Sequence, residues 1–119
     1  MKNILSIVAI LTLLMIPITA FADEGPMNLP SGSNPEAVSH NKEGIASWNK
    51  KDYKGALMHF SAASKIDGSS GEIHFNEAIC YDKIGQHGVA TKHFGVALKQ
   101  AGGNTKLLNS PILKGHLGM

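Results

Sequence analysis

HFGVALKQAG (residues 93–102) repeats HFSAASKIDG (residues 59–68) at a distance of 34 residues. The two stretches share His, Phe, Ala, Lys and Gly at matching positions. Several identities at one fixed offset predict a tandem repeat, in which each copy is one supersecondary unit. One copy alone cannot bury its apolar face, so we expect the two copies to stack on each other.

The sequence around these stretches predicts helices and no strands. We expect helices at about 35–50, 52–66, 71–84 and 87–101, and a weaker tail helix at about 105–117. Asn34 followed by Pro35 is typical of a helix start, and Gly85 is typical of a helix end. No segment alternates apolar and polar residues with a period of two, as a half-buried strand does.

The four longer helices pair into two hairpins of equal length. The repeat region spans 36–104, with copies at 37–70 and 71–104, and residues 105–119 add a C-terminal capping helix. The predicted fold is all-α, a short α-solenoid. Leucines of the tail, such as Leu107 and Leu113, are expected to cover the apolar end of the second copy. The alternative is that the tail helix is exposed and docks on a partner.

Each copy resembles the tetratricopeptide repeat (TPR), here of a small exported bacterial type. The shared frame has a small residue in the first helix, then Ala-x3-Phe and a further Ala in the second helix. The residues in this frame are Gly44, Ala56, Phe60 and Ala63 in the first copy, and Ala78, Ala90, Phe94 and Ala97 in the second. The chain departs from the family where His40 and His74 replace Trp, and where Glu43 and Glu77 replace Leu.

The resemblance implies a concave groove, lined by the first helix of each hairpin, that receives a peptide or helix of another protein. By position, the groove residues would be Asn41, Ile45, Trp48, Asn49, Glu72, Phe75, Asn76, Ile79, Asp82 and Lys83. Trp48 and Phe75 would anchor the partner, because large aromatic residues dominate interface energetics. For Trp48 the alternative is packing between the helices of its own hairpin.

The N-terminus predicts export. Residues 1–22 have a basic start, an apolar stretch and small residues at the end, as in a secretory signal, and we expect cleavage after Ala22. The alternative is an uncleaved anchor. Residues 23–35 are rich in Pro and Gly and predict a flexible leader. The mature protein would be periplasmic or secreted, without stable membrane insertion.

Composition argues against a nucleic-acid partner and against a disulfide framework. The chain has a net charge of only +2 and contains no Arg, which disfavours a nucleic-acid partner. Its single cysteine, Cys80, gives no disulfide framework and lies in an apolar helical pattern, so we expect a buried thiol. A reactive thiol or an intermolecular disulfide is the alternative.

The six histidines do not form a recognised metal motif. There is no H-E-x-x-H sequence, and repeat-equivalent histidines such as His40 and His74 would lie too far apart to share one ion. We therefore predict no metal site, no cofactor and no catalytic residue.

These observations favour a non-enzymatic protein–protein interaction adaptor of the bacterial cell envelope, with a partner of unknown identity. The alternatives are a ligand- or metal-binding periplasmic carrier that uses its histidines, and an accessory subunit of an envelope enzyme complex. Two repeats make a thin solenoid, since three or more are usual, so a homo-oligomer is also possible.

Overall fold

The computed structural model describes residues 24–119, which form six helices and no strand. The helices are α1 (Pro35–Asn49), α2 (Tyr53–Ile66), α3 (Gly71–Lys83), α4 (His87–Lys99), α5 (Thr105–Leu108) and α6 (Pro111–Leu117). The predicted all-α fold is confirmed. The predicted signal peptide at 1–22 lies outside the described residues.

Side-chain caps define most helix starts. The Asn34 side chain accepts hydrogen bonds from the backbone N–H groups of Glu36 and Ala37, ahead of Pro35 in the first turn. Asp52, Ser70 and Ser110 cap α2, α3 and α6 in the same way. Each cap provides an acceptor for an N–H group that has no partner within the helix.

The helices stack in chain order. α1 packs on α2, α2 on α3, α3 on α4, and α6 closes the end against α4. The Ala and Phe residues of the repeat frame are completely buried: Ala56, Phe60 and Ala63 in α2, and Ala90, Phe94 and Ala97 in α4. Leu107 and Leu113 of the tail are also buried in the cluster that contains Phe94, so the tail caps the second hairpin.

Gly44 marks the closest approach within the first hairpin. A Cβ atom at this position would lie 2.5 Å from Cε1 of Phe60, far inside contact distance. The ring is fully buried and has little space in which to shift. The small residue that the repeat frame places here is thus required by the contact between α1 and α2.

The segment before α1 differs from the flexible leader expected at 23–35. Met27 is only 4% exposed and belongs to the main hydrophobic core. The expectation failed because the backbone of this Pro- and Gly-rich segment is held by side chains distant in sequence, a source of order that local composition does not reveal. Among residues 24–119 there is no helix with the length and apolar character needed to cross a membrane.

Candidate functional site

Two asparagines bind the backbone of the N-terminal segment. Asn76 of α3 accepts a hydrogen bond from the Met27 N–H at 2.7 Å and donates one to the Met27 carbonyl at 2.9 Å. Asn41 of α1 donates to the same carbonyl at 3.0 Å. Asn76 also donates to the Asn41 side-chain oxygen at 2.8 Å, which fixes the orientation of both amides. The pair therefore satisfies both backbone groups of Met27, a residue outside the helices.

The N-terminal segment, residues 24–34, contacts both hairpins and the cap. The Met27 side chain shares a core cluster with Phe75 and Ile79. Near its start, Glu24 accepts a hydrogen bond from the Ile112 N–H of α6 at 2.9 Å. Gly25 lies beside Trp48, since a Cβ on Gly25 would be 3.8 Å from the indole nitrogen. The segment thus lies along the face that the sequence assigned to a partner peptide.

The two predicted aromatic anchors are placed differently. Phe75 is completely buried, with its ring 5.6 Å from that of Phe94 in an edge-to-face arrangement, so it belongs to the core of its own hairpin. Trp48 is half-buried and packs edge-on against Tyr53 of α2 at 4.8 Å, with the Lys83 ammonium 5.9 Å from its ring centre. Trp48 thus contacts Tyr53 within its own hairpin, as in the alternative interpretation, and also Lys83 of the second hairpin.

The other predicted groove residues lie in several different environments. Glu72 is buried and accepts a 2.6 Å hydrogen bond from Asn104. Ile45 is half-buried against the cluster around Phe60, and Asn49 is exposed. Asp82 accepts hydrogen bonds from His87 of α4 and His116 of α6. Of the ten predicted residues, Asn41 and Asn76 hydrogen-bond the backbone of the N-terminal segment.

The structure brings histidines of different helices together within each hairpin, a grouping that was not predicted from the sequence. One group is His40, Glu43 and His59, and its repeat equivalent is His74, Glu77 and His93; a third group is Asp82, His87 and His116. The ligand atoms of each group lie within 4.8 Å of one another. The missed signal was the pattern H-x2-E with a further His 19 positions after the first, present in both copies.

The group in the second hairpin is the more buried of the two repeat equivalents. His74 Nδ1 lies 3.3 Å from Glu77 Oε1, and His93 Nδ1 lies 3.8 Å from the same oxygen. Interaction with the Glu77 carboxylate raises the pKa of His74 against the opposing effect of burial. Burial lowers the pKa of His93, and the nearby charge of Glu77 opposes this effect.

Comparison with known proteins supports a helical repeat protein. No family model matches the chain. Over 65 residues, or 55% of the chain, it is 38% identical to human sperm-associated antigen 1. That relative contains tetratricopeptide repeats, so the likeness supports a TPR-like helical repeat in this chain. The matched part is 7% of the relative's length.

Proposed function

We propose that the chain is a non-enzymatic adaptor whose groove binds an extended peptide, and that residues 24–34 occupy this groove in the manner of a ligand. The observation that carries the proposal is the double hydrogen bond between Asn76 and the backbone of Met27. A side chain that pairs with main-chain N–H and C=O groups recognises an extended backbone whatever its sequence. The buried Met27 side chain adds an apolar anchor, as in other modes of peptide recognition.

The site of action in this proposal is the bacterial cell envelope. The support for export is the signal-like sequence at 1–22, which would release a mature chain beginning at Asp23. The partner is another protein that offers an extended stretch with a flexible apolar side chain. A groove closed by the chain's own segment must be vacated before such a partner can enter.

The proposal is tested with a labelled peptide of residues 23–34, DEGPMNLPSGSN, added to the purified protein. Met27→Asp should expel the internal segment, because a carboxylate cannot be buried in this apolar cluster without a large cost. The peptide should then bind to Met27→Asp and not to the unchanged protein. Adding Asn76→Ala should weaken that binding by about 10- to 100-fold, as expected for the loss of two hydrogen bonds of roughly 1 kcal/mol each.

Asn49→Ala is the matched control, since Asn49 lies on the same helix as Asn41 but is exposed. It should leave peptide binding unchanged, and circular dichroism should show all variants to be helical. Equal binding with and without Asn76 would place the peptide elsewhere, and absence of binding to Met27→Asp would reduce the segment to a structural role. The Met27→Asp protein is also the appropriate bait for capturing a partner from an envelope extract.

A further inference from the structure

The second hairpin contains three converging ligand atoms without hydrogen-bond partners. They are His74 Nδ1, Glu77 Oε1 and His93 Nδ1, all three buried and none in a well-formed hydrogen bond, although His74 Nδ1 lies within ion-pair distance of Glu77 Oε1. Buried polar atoms in proteins are nearly always hydrogen-bonded, so three orphans that face one another require a specific explanation. We propose that these residues bind a divalent transition-metal ion, with Zn²⁺ as the ion that the donor set fits best.

The distances between the ligand atoms are close to those of tetrahedral coordination around one ion. Zinc binds imidazole nitrogen and carboxylate oxygen at about 2.0–2.2 Å, which places adjacent ligand atoms of a tetrahedron about 3.3–3.6 Å apart. The distances from Glu77 Oε1 to the two imidazole nitrogens are 3.3 and 3.8 Å. All three ligand atoms lie within 4.8 Å of one another, so side-chain shifts on two adjacent helices would bring them to bonding distance around one ion.

The surroundings of the site orient two of the three ligands. The second ring nitrogen of His74, Nε2, lies 2.8 Å from the Gly68 carbonyl, which can only accept. In the neutral ring this places the proton on Nε2 and leaves a lone pair on Nδ1. Ser61 donates to the other carboxylate oxygen of Glu77 at 3.3 Å, so Oε1 remains for an ion. Contacts of this type behind the ligands are a regular feature of protein metal sites.

A proton alone satisfies the cluster incompletely. A proton on His74 would neutralise its repulsion with the carboxylate, but His93 Nδ1 would still lack a partner. One divalent ion bonds to all three atoms at once. Two imidazoles and one carboxylate select a transition ion over Mg²⁺ or Ca²⁺, and they leave a fourth position for water or an external donor.

The same residue types recur in the first hairpin as His40, Glu43 and His59. His59 Nδ1 lies 3.0 Å from a Glu43 oxygen, and the buried His40 Nδ1 again has no partner. This copy is more open, since the Glu43 side chain is 54% exposed and that of Glu77 only 6%. We expect it to bind the ion more weakly than the second-hairpin site.

The third group differs, because its atoms are already hydrogen-bonded. Asp82 accepts from His87 at 2.6 Å and from His116 at 2.9 Å. The other ring nitrogen of His116 lies 2.9 Å from the Thr91 hydroxyl. This group therefore supplies a histidine, His87, whose substitution leaves the proposed site intact and serves as a control.

The test is a titration of the tag-free, chelator-treated protein with Zn²⁺ alone against a chromophoric zinc indicator, with Mg²⁺ in excess. One tight site is expected in the unchanged protein and in His87→Gln. His93→Gln should weaken this site by more than about 100-fold, because removing a direct ligand costs at least as much as removing a residue behind one. Glu43→Gln should leave the tight site unchanged and remove weaker binding only.

Cobalt(II) provides a measurement that does not depend on variants that fold less well. Bound at the site, Co²⁺ should show the intense visible absorption of tetrahedral coordination, and added Zn²⁺ should abolish it. Zn²⁺ should also raise the midpoint of thermal unfolding of the unchanged protein. The proposal is overturned if no tight binding occurs, or if tight binding survives His93→Gln or Glu77→Gln unchanged.

Discussion

At the scale of single residues, Cys80 shows how burial determines chemistry. Its thiol lies between the hairpins in the cluster of Ala56 and Phe60, and burial raises its pKa to about 12, with a smaller contribution from the charge of Glu77. Nucleophilic attack requires the thiolate, so we expect native Cys80 to be inert to thiol reagents at pH 8 and to react after unfolding. Rapid reaction of the folded protein would contradict this placement.

The same thiol predicts a loss of stability in alkali. The unfolded thiol titrates near its ordinary pKa of 9.0 and the folded one near 12, so its contribution is complete below pH 9 and is lost as pH rises toward 12. Between pH 8 and pH 10 the free energy of unfolding should fall by about 1.4 kcal/mol from this group. Urea unfolding at both pH values should show a smaller fall for Cys80→Ala, and parallel falls would refute the argument.

At the scale of helices, adding one methyl group at Gly44, where α1 meets α2, should change the stability of the protein. Gly44→Ala raises helix propensity by up to about 1 kcal/mol, but its Cβ would overlap the buried Phe60 ring. Overpacking of this kind costs about 1–3 kcal/mol, so we expect a net destabilisation. Gly95→Ala in α4 has no atom within 4 Å of the new Cβ and should stabilise. Denaturant midpoints that move in the same direction for both variants would contradict this reading.

Helix positions could be predicted from sequence because their signals are local. Caps such as Asn34 and Ser70, and the 34-residue spacing of Phe60 and Phe94, specify helices and their pairing directly. The buried state of Phe75 could not be predicted in this way, since it depends on which face of α3 meets α4. The histidine groups could not be predicted for a related reason. The sequence pattern relates equivalent histidines of the two copies, whereas the contacts form between histidines of the same copy.

At the scale of the whole molecule, the N-terminal segment joins parts that are otherwise distant in sequence. It binds α1 and α3 through Met27 and reaches α6 through Glu24. Met27→Ala should therefore lower the free energy of unfolding by about 2 kcal/mol or more, and should speed hydrogen exchange in α6 as well as in the segment. Met58→Ala is the control, because Met58 is 71% exposed and its loss should change stability by less than about 0.5 kcal/mol.

A stability loss of similar size for both methionines would mean that the segment adds nothing to the fold. Its role could not be predicted from composition, because DEGPMNLPSGSNP contains few apolar residues and three prolines. The information lies in Asn41 and Asn76, whose amides supply the hydrogen bonds that the segment cannot make within itself.

The short connection between Met27 and α1 sets the concentration that a free peptide would need in order to displace the segment. Only residues 28–34 separate Met27 from the first helix, so the segment is tethered beside its own binding site. A short tether gives a local concentration of the order of millimolar. A free peptide with the same contacts would need a comparable concentration to displace half of it. If the groove acts as we propose, it would be shielded from incidental extended chains and would open to a peptide that binds substantially more tightly than the tethered one.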